Sequence, residues 1–236
     1  MKRIKTTTLV LSALLVSTFA AAQESAGSFE VTPGVDFVSK YIWRGMNQGG
    51  GASIQPSLTL DWDFGLSLGM WGSSSIADFD KKEVDLSLGF EKGGFSATFT
   101  DYWWEGEGAK YGHYKDDHYF ELGLAYNFGD NVPLTISWAT MLFAGEASEL
   151  DENDDRMYST YINFSYDFDV KGTTLTPAIG INPWKSQFDD EFSVLDITLT
   201  GSKEIEITDK FKLPLFVQLV VSPAFDDVHA VVGLTF

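Results

Sequence analysis

Apolar residues recur at every second position through most of this chain. Val84, Leu86, Leu88 and Phe90 alternate with Asp85, Ser87 and Gly89. Leu122, Leu124, Tyr126 and Phe128 alternate with Glu121, Gly123, Ala125 and Asn127, and Ile162, Phe164, Tyr166 and Phe168 with Asn163, Ser165 and Asp167. A period of two gives a strand one apolar face and one polar or small face. The pattern predicts strands over 29–46, 52–62, 65–74, 83–91, 95–104, 118–128, 133–143, 156–168, 173–183, 192–207, 211–222 and 228–236. That makes twelve, although the long first and tenth segments also fit a count of ten or fourteen. Pro56, Pro177 and Pro214 fall inside strands, where each removes a ladder donor, and local bulges are the expected remedy.

A soluble sandwich would alternate in the same way, with its apolar face inward. The connections favour the inverted arrangement. Short turns at Asp63 to Gly65, Glu91 to Gly94, Gly129 to Val132, Asp169 to Gly172 and Thr208 to Lys210 alternate with mostly longer polar segments. Those are Gly49 to Gly51, Ser75 to Lys82, Glu105 to Asp117, Ala144 to Asp155, Trp184 to Glu191 and Pro223 to Asp227. Alternating short and long connections mark an outer-membrane up-and-down barrel, with periplasmic turns and extracellular loops. Aromatic residues cluster at strand ends rather than mid-strand. Trp62, Phe90, Phe128 and Phe168 stand at the short turns; Tyr41, Trp43 and Trp184 lie near the other ends. Two such bands match the interfacial girdles of a membrane barrel. The last segment, Val228 to Phe236, alternates and ends on an aromatic residue, like the C-terminal signal read by the barrel-assembly machinery.

Composition adds export. Lys2, Arg3 and Lys5 precede an apolar stretch, Leu9 to Phe19, and then Ala20-Ala21-Ala22. This reads as a secretory signal peptide over residues 1–22, cut before Gln23, with residues 23–236 forming the barrel. The apolar stretch is too short to span about 30 Å of hydrocarbon as an anchor. Removing its three positive charges takes the net charge from −18 to −21. A chain this acidic excludes nucleic acid as a default partner, because phosphate binding needs clustered Lys and Arg. With no cysteine there are no disulfides, thiolate metal sites or thiol nucleophile.

Ser39-Lys40-Tyr41-Ile42-Trp43-Arg44-Gly45, followed by Asn47-Gln48, resembles the S-x-Y-x-[FW]-R-G-x-[ST]-Q segment of the TorF family of porin-like proteins, a conserved hypothetical group of Gram-negative bacteria. Gly69-Met70-Trp71-Gly72-Ser73 and Glu83-Val84-Asp85 resemble its next motifs. The likeness is clearest over residues 35–105. Asn47 stands where a hydroxyl residue is usual, no proline precedes Ala52, and Tyr102-Trp103-Trp104 lacks the Tyr-Pro often found there. The resemblance implies an outer-membrane barrel that acts as a pore, and brings no catalytic or ligand residues.

If the apolar residues face lipid, the opposite set lines the lumen: Asp36, Lys40, Arg44, Gln55, Asp61, Trp71, Asp85, Glu121, Asn163, Asp167 and Asp196. Val35, Phe37, Tyr41 and Trp43 then point outward on the first strand. Arg44 is expected to pair with an inward acid near the outer mouth, since its planar fork suits carboxylates. Twelve strands lie between barrels that fill themselves and those that leave open channels. The acidic loop Glu146, Glu149, Asp151, Glu152, Asp154 and Asp155 reads as a solvated surface loop. Its Asp151-x-Asn153-x-Asp155 spacing begins a calcium loop, but the glycine and distant glutamate are missing. His113 and His118 read as solvated loop residues without a nucleophile motif, so a hydrolase ranks last. No cofactor is implied. The expected function is passive diffusion of small hydrophilic solutes, with a mild cation preference. Its partners are membrane lipid, lipopolysaccharide and the assembly machinery. The rival is a closed barrel whose loops bind a partner.

Overall fold

The computed structural model describes residues 28–77, 82–106, 108–144, 149–209 and 211–236. Residues 1–22, expected as a signal peptide, and Glu146 therefore lie outside the described residues. Twelve long strands run in chain order: β1 (Phe29–Val38), β2 (Ser53–Trp62), β3 (Leu66–Ser75), β4 (Lys82–Lys92), β5 (Phe95–Trp104) and β6 (His118–Asn127), then β7 (Leu134–Ala144), β8 (Thr160–Tyr166), β9 (Thr174–Asn182), β10 (Ser193–Thr208), β11 (Phe211–Ser222) and β12 (Asp227–Thr235). Each pairs antiparallel with its chain neighbours, and β1 pairs with β12, so the sheet closes on itself. The seam joins Asp36, Phe37 and Val38 to Thr235, Leu234 and Gly233, and Val35 and Phe236 exchange both backbone hydrogen bonds at 3.0 Å.

The short connections are built for tight reversal. Gly93 and Gly94 both take positive φ, +61° and +83°, and join Lys92 directly to its partner Phe95. Positive φ at both central residues belongs to the hairpin turns whose twist matches the strands. The sheet keeps register across all three strand prolines: Pro56 faces Val35, Pro177 faces Leu199 and Pro214 faces Glu204, and no shift falls at any of them. The expected bulges are thus absent there. Each proline gives up one ladder donor without displacing its neighbours.

Leu68, Met70, Leu88, Leu124, Trp138, Ile197, Leu199, Leu219 and Val232 stand on the outer face, each with more than two-fifths of its surface uncovered. Water-soluble proteins rarely expose apolar patches beyond a few hundred Å². A closed barrel with a continuous apolar exterior is a membrane-spanning one, because closure satisfies every backbone group without water. Phe90, Phe128, Phe168, Trp184 and Phe236 are exposed on it near strand ends, and Trp62 lies 5.8 Å from the Phe29 ring. The inner face is small and polar: Ser67 faces Gly89, and Gly69 faces Ser87.

The first strand departs from expectation. It ends at Val38, not at residue 46. Residues 42–47 form a separate ribbon in which Ile42 pairs with Asn47 and Trp43 with Met46. The eighth strand also starts later than expected, at Thr160, because Arg156 pairs back with Leu150 inside the preceding loop.

Candidate solute path

The tip of the 42–47 ribbon is Arg44-Gly45, with φ of +50° and +81°. Two consecutive positive-φ residues cannot continue a strand and instead reverse it within two residues. A Cβ at position 45 would lie 2.6 Å from the Leu195 carbonyl oxygen, so the backbone contact requires glycine. Ser222 Oγ, at the end of β11, donates to the Gly45 carbonyl at 2.8 Å.

This hairpin crosses the lumen. Tyr41 meets the Trp71 ring of β3 at 5.5 Å. Trp43 packs on Tyr102 and Trp104 of β5 and on Phe188 of the β9–β10 loop, with centroids 5.7 to 6.2 Å apart. Arg44 Nη2 donates to Glu121 Oε1 of β6 at 2.8 Å and lies 2.7 Å from Oε2. The Arg44 guanidinium also stands 4.9 Å from the Tyr161 ring of β8. Contacts on β3, β5, β6, β8, β10 and β11 place the ribbon inside the barrel. Tyr41 and Trp43 therefore correct the sequence expectation: they face the interior and belong to no lipid-facing band. The cause is local, since the chain leaves the sheet after Val38 and the alternation beyond it no longer reports sheet faces. Lys40 lies half-buried where the chain departs.

Two bulges sit where the hairpin lands. The β6–β7 register shifts between Phe120 and Glu121. The β9–β10 register shifts beside Gly180, leaving Leu195 as a fully buried extra residue under Gly45. Bulges re-aim side chains next to sites. Glu121 accepts from Arg44 and from the Tyr102 hydroxyl at 3.0 Å. Asp196 accepts from the Tyr161 hydroxyl at 2.9 Å, and Asn163 donates to that same oxygen at 3.1 Å. Gly180 faces inward, and a Cβ there would strike the Tyr161 ring at 2.3 Å. Gln55 donates to Ser73 Oγ at 3.4 Å. Asp36 sits on the seam, and exposed Asp61 lies at the short-turn end beside Ser67.

The lumen is divided rather than filled. A cavity of about 140 Å³ lies on the long-loop side, between Tyr41, Gln48, Ser53, Ser73, Glu83 and Trp104. Another of about 270 Å³ lies beyond the hairpin, bounded by Ile42, Arg44, Tyr161, Asp196 and Gln218. A third, of about 470 Å³, opens at the short-turn end beside Glu204, Glu206, Lys212 and Phe216. The 41–45 segment borders both of the first two, Tyr41 on the first and Ile42, Arg44 and Gly45 on the second.

The loops are more structured than solvated segments. Asp151 Oδ1 accepts the backbone N–H groups of Asn153 at 2.8 Å and Asp155 at 3.0 Å, which hold its carboxyl below the ordinary range. Among the described residues no three His, Asp or Glu side chains converge on a metal position. Glu152 is paired with Lys185 of the next long loop. Glu149 departs from the solvated reading. It is buried, its Oε2 takes the Ser159 N–H at 3.3 Å, and burial raises its pKa. His118 departs too. It is fully buried on the outer side of the wall, with Nδ1 2.6 Å from Asp101 Oδ1 and Nε2 2.6 Å from the Tyr111 carbonyl oxygen. Tyr114 stacks on it at 4.0 Å, so the β5–β6 loop is clamped down over the rim.

Sequence reasoning passed over Glu83, Tyr102, Trp104, Tyr161 and Phe188. Parity alone could have found the first four, as inward neighbours of Asp85 or Asn163 or as outer-mouth aromatics of β5. Phe188 carried no signal, because its loop is shaped by Asn182, which donates to the Glu191 carbonyl at 2.8 Å and accepts from Ser186 Oγ at 2.7 Å.

A closed, apolar-skinned barrel with a polar, partitioned interior defines a transmembrane β-barrel of the outer membrane. The chain belongs to the family described as "Bacterial protein of unknown function (Gcw_chp)", whose model matches residues 22–211. No curated protein matches it. Among solved structures it is similar to the KdgM porin, at 11% identity and TM-score 0.48, covering 86% of this chain and 98% of that one. It is also similar to the NanC porin, at 7% identity and TM-score 0.46 with coverage of 86% and 98%. An outer-membrane channel from Pseudomonas putida F1 matches at 14% identity and TM-score 0.44, with coverage of 87% and 93%.

Proposed function

We propose that the protein is a channel for passive diffusion of small hydrophilic solutes across the outer membrane, mildly selective for cations, of the porin-like TorF type. The observation that carries this reading is that the barrel keeps open space beside the infolded hairpin, in the cavity lined by Tyr41 and Glu83 and in the cavity lined by Ile42, Arg44, Asp196 and Gln218. A barrel built only as a wall has no need of a polar path through it. The lipid-facing belt would lie among membrane lipid and lipopolysaccharide, and β12 with the Phe236 that follows it is what the assembly machinery would read. A second reading, a closed barrel whose long loops bind a partner, draws support from the Arg44–Glu121 bridge across the lumen. Purified protein in a planar bilayer separates the two. Steady unitary currents with a cation-directed reversal potential in a KCl gradient support the channel. Silence at high protein loading overturns it.

A further inference from the structure

We propose that the cavity at the outer mouth is a binding site for the ammonium group of a small organic amine, with Glu83 as its anion. The inference deepens the channel reading by naming a solute class, and rests on it only for passage, not for binding. Glu83 is the second residue of β4 and faces inward, with 4% of its surface exposed. The Tyr41 hydroxyl and the Trp104 indole hydrogen bond to its carboxylate. Glu83 lines the cavity, and its buried Oε1 has no partner. A buried carboxylate oxygen left unsatisfied is costly, and an N–H donor of opposite charge is the group that relieves the cost most.

The surroundings choose among donors. Tyr41 and Trp104 put aromatic rings on the cavity wall, and aromatic faces attract organic cations within about 6 Å of the centroid. Ser73 of β3 is the direct cross-strand neighbour of Glu83, and Ser53 and Ser75 line the same cavity, so hydroxyl groups stand beside the carboxylate for the remaining ammonium protons. Lys82 Nζ, also on the wall, pairs with Glu105 Oε2 at 2.8 Å, so a second carboxylate stands on the same lining. Asp85, the next inward residue of β4, carries a second buried carboxylate oxygen without a partner. Successive inward positions of a strand lie about 7 Å apart, so an unbranched diamine can offer one ammonium to each. An anion would face the Glu83 and Glu105 carboxylates, with Lys82 on the lining already paired to Glu105. A neutral polyol would leave the charge unmet.

The test is calorimetric titration of the purified, detergent-folded barrel with putrescine, using 1,4-butanediol as the neutral isostere. The expected result is saturable putrescine binding, no butanediol heat, and affinity at least tenfold weaker in Glu83→Gln. Trp104→Leu serves if Glu83→Gln loses its heat-modifiable band, and it should also weaken binding. Absence of putrescine binding, equal binding of the diol, or unchanged affinity in either variant overturns the inference. Bilayer recording of the same preparation separates the two ideas. Conduction without binding keeps the channel and sinks the site, while binding without conduction keeps the site and sinks the channel.

Discussion

Arg44 holds a left-handed backbone and an almost wholly enclosed guanidinium at once. Its side chain is 8% exposed and that of Glu121 5%, so neither charge is dissolved in bulk water. Trp43, Tyr161 and Phe188 surround the cation with ring faces at 4.4 to 5.5 Å. Removing one member of such a pair strands the other and costs about 3–5 kcal/mol. Arg44→Ala is therefore expected to lower the temperature at which the unheated, fast-migrating gel band disappears. It should also raise unitary conductance, by removing the guanidinium that bounds the cavity beside Asp196 and Gln218. Adding Glu121→Gln to it should restore part of the thermal loss, since no charge is then stranded. Unchanged conductance and melting in Arg44→Ala would mean the hairpin neither bridges nor constricts. His118 makes a comparable bridge outside the wall. Replacing it with alanine should free the β5–β6 loop, and limited trypsin digestion should then cut after Lys110 or Lys115 in the variant and not in the wild type.

At the scale of elements, the strands were legible to within a residue or two at most ends, since lipid outside and polar space inside impose a strict period of two. The infolded ribbon was not. Val35, Phe37, Tyr41 and Trp43 keep the alternation going past the point where the chain leaves the sheet, and the aromatic rings suit the lumen as well as the membrane interface. Parity reports which side of a backbone a residue occupies, not which surface that side meets. The signal that could have broken the tie was Arg44-Gly45 itself, a pair suited to a two-residue reversal. The lumen acids Asp85, Glu121 and Asp196 were readable by alternation, and so was the pairing of Arg44 with an inward acid, which Glu121 provides; the Tyr161 hydroxyl on Asp196 was not, because β8 and β10 are joined only through the closed fold. The acidic loop carries a pH prediction. Asp151 has its pKa lowered by two backbone N–H groups and Glu152 by Lys185. A lowered folded value means the stabilisation is present above the ordinary values of 3.8 and 4.5 and is lost as pH falls through the lower folded ones. Amide exchange at Asn153 and Asp155 should be slow relative to intrinsic rates at pH 5 and should lose that protection near pH 3. Equal protection at both values would refute the assignment.

For the molecule as a whole, closure joins every strand to two others, so the barrel should resist SDS until heated and then change gel mobility. Recovery as a soluble periplasmic protein with no such shift would defeat the fold. Charge acts at the same scale. The inner face carries Asp36, Asp61, Glu83, Asp85, Glu121 and Asp196 against few cations, and the loops add Asp151, Glu152, Asp154 and Asp155. Fields from these groups reach about 8 Å at physiological ionic strength. Neutralising Asp151, Glu152, Asp154 and Asp155 together should shrink the cation-directed reversal potential at low salt and do little at 1 M. An anion-selective wild type would refute the charge argument.

The ribbon has a consequence for the order in which the protein can be made. It belongs to the first connection of the barrel, yet Arg44 meets Glu121 across 77 residues and Gly45 meets Ser222 across 177. Such distant pairings are the slow ones, because a long loop must close before any contact rewards it. Until β6 and β10 arrive, the guanidinium has neither Glu121 nor the Asp196 side of its seat. The ribbon's seat is therefore complete only when strands from both halves of the chain stand together, so its burial reports on the closed cylinder as a whole and not on the hairpin that carries it.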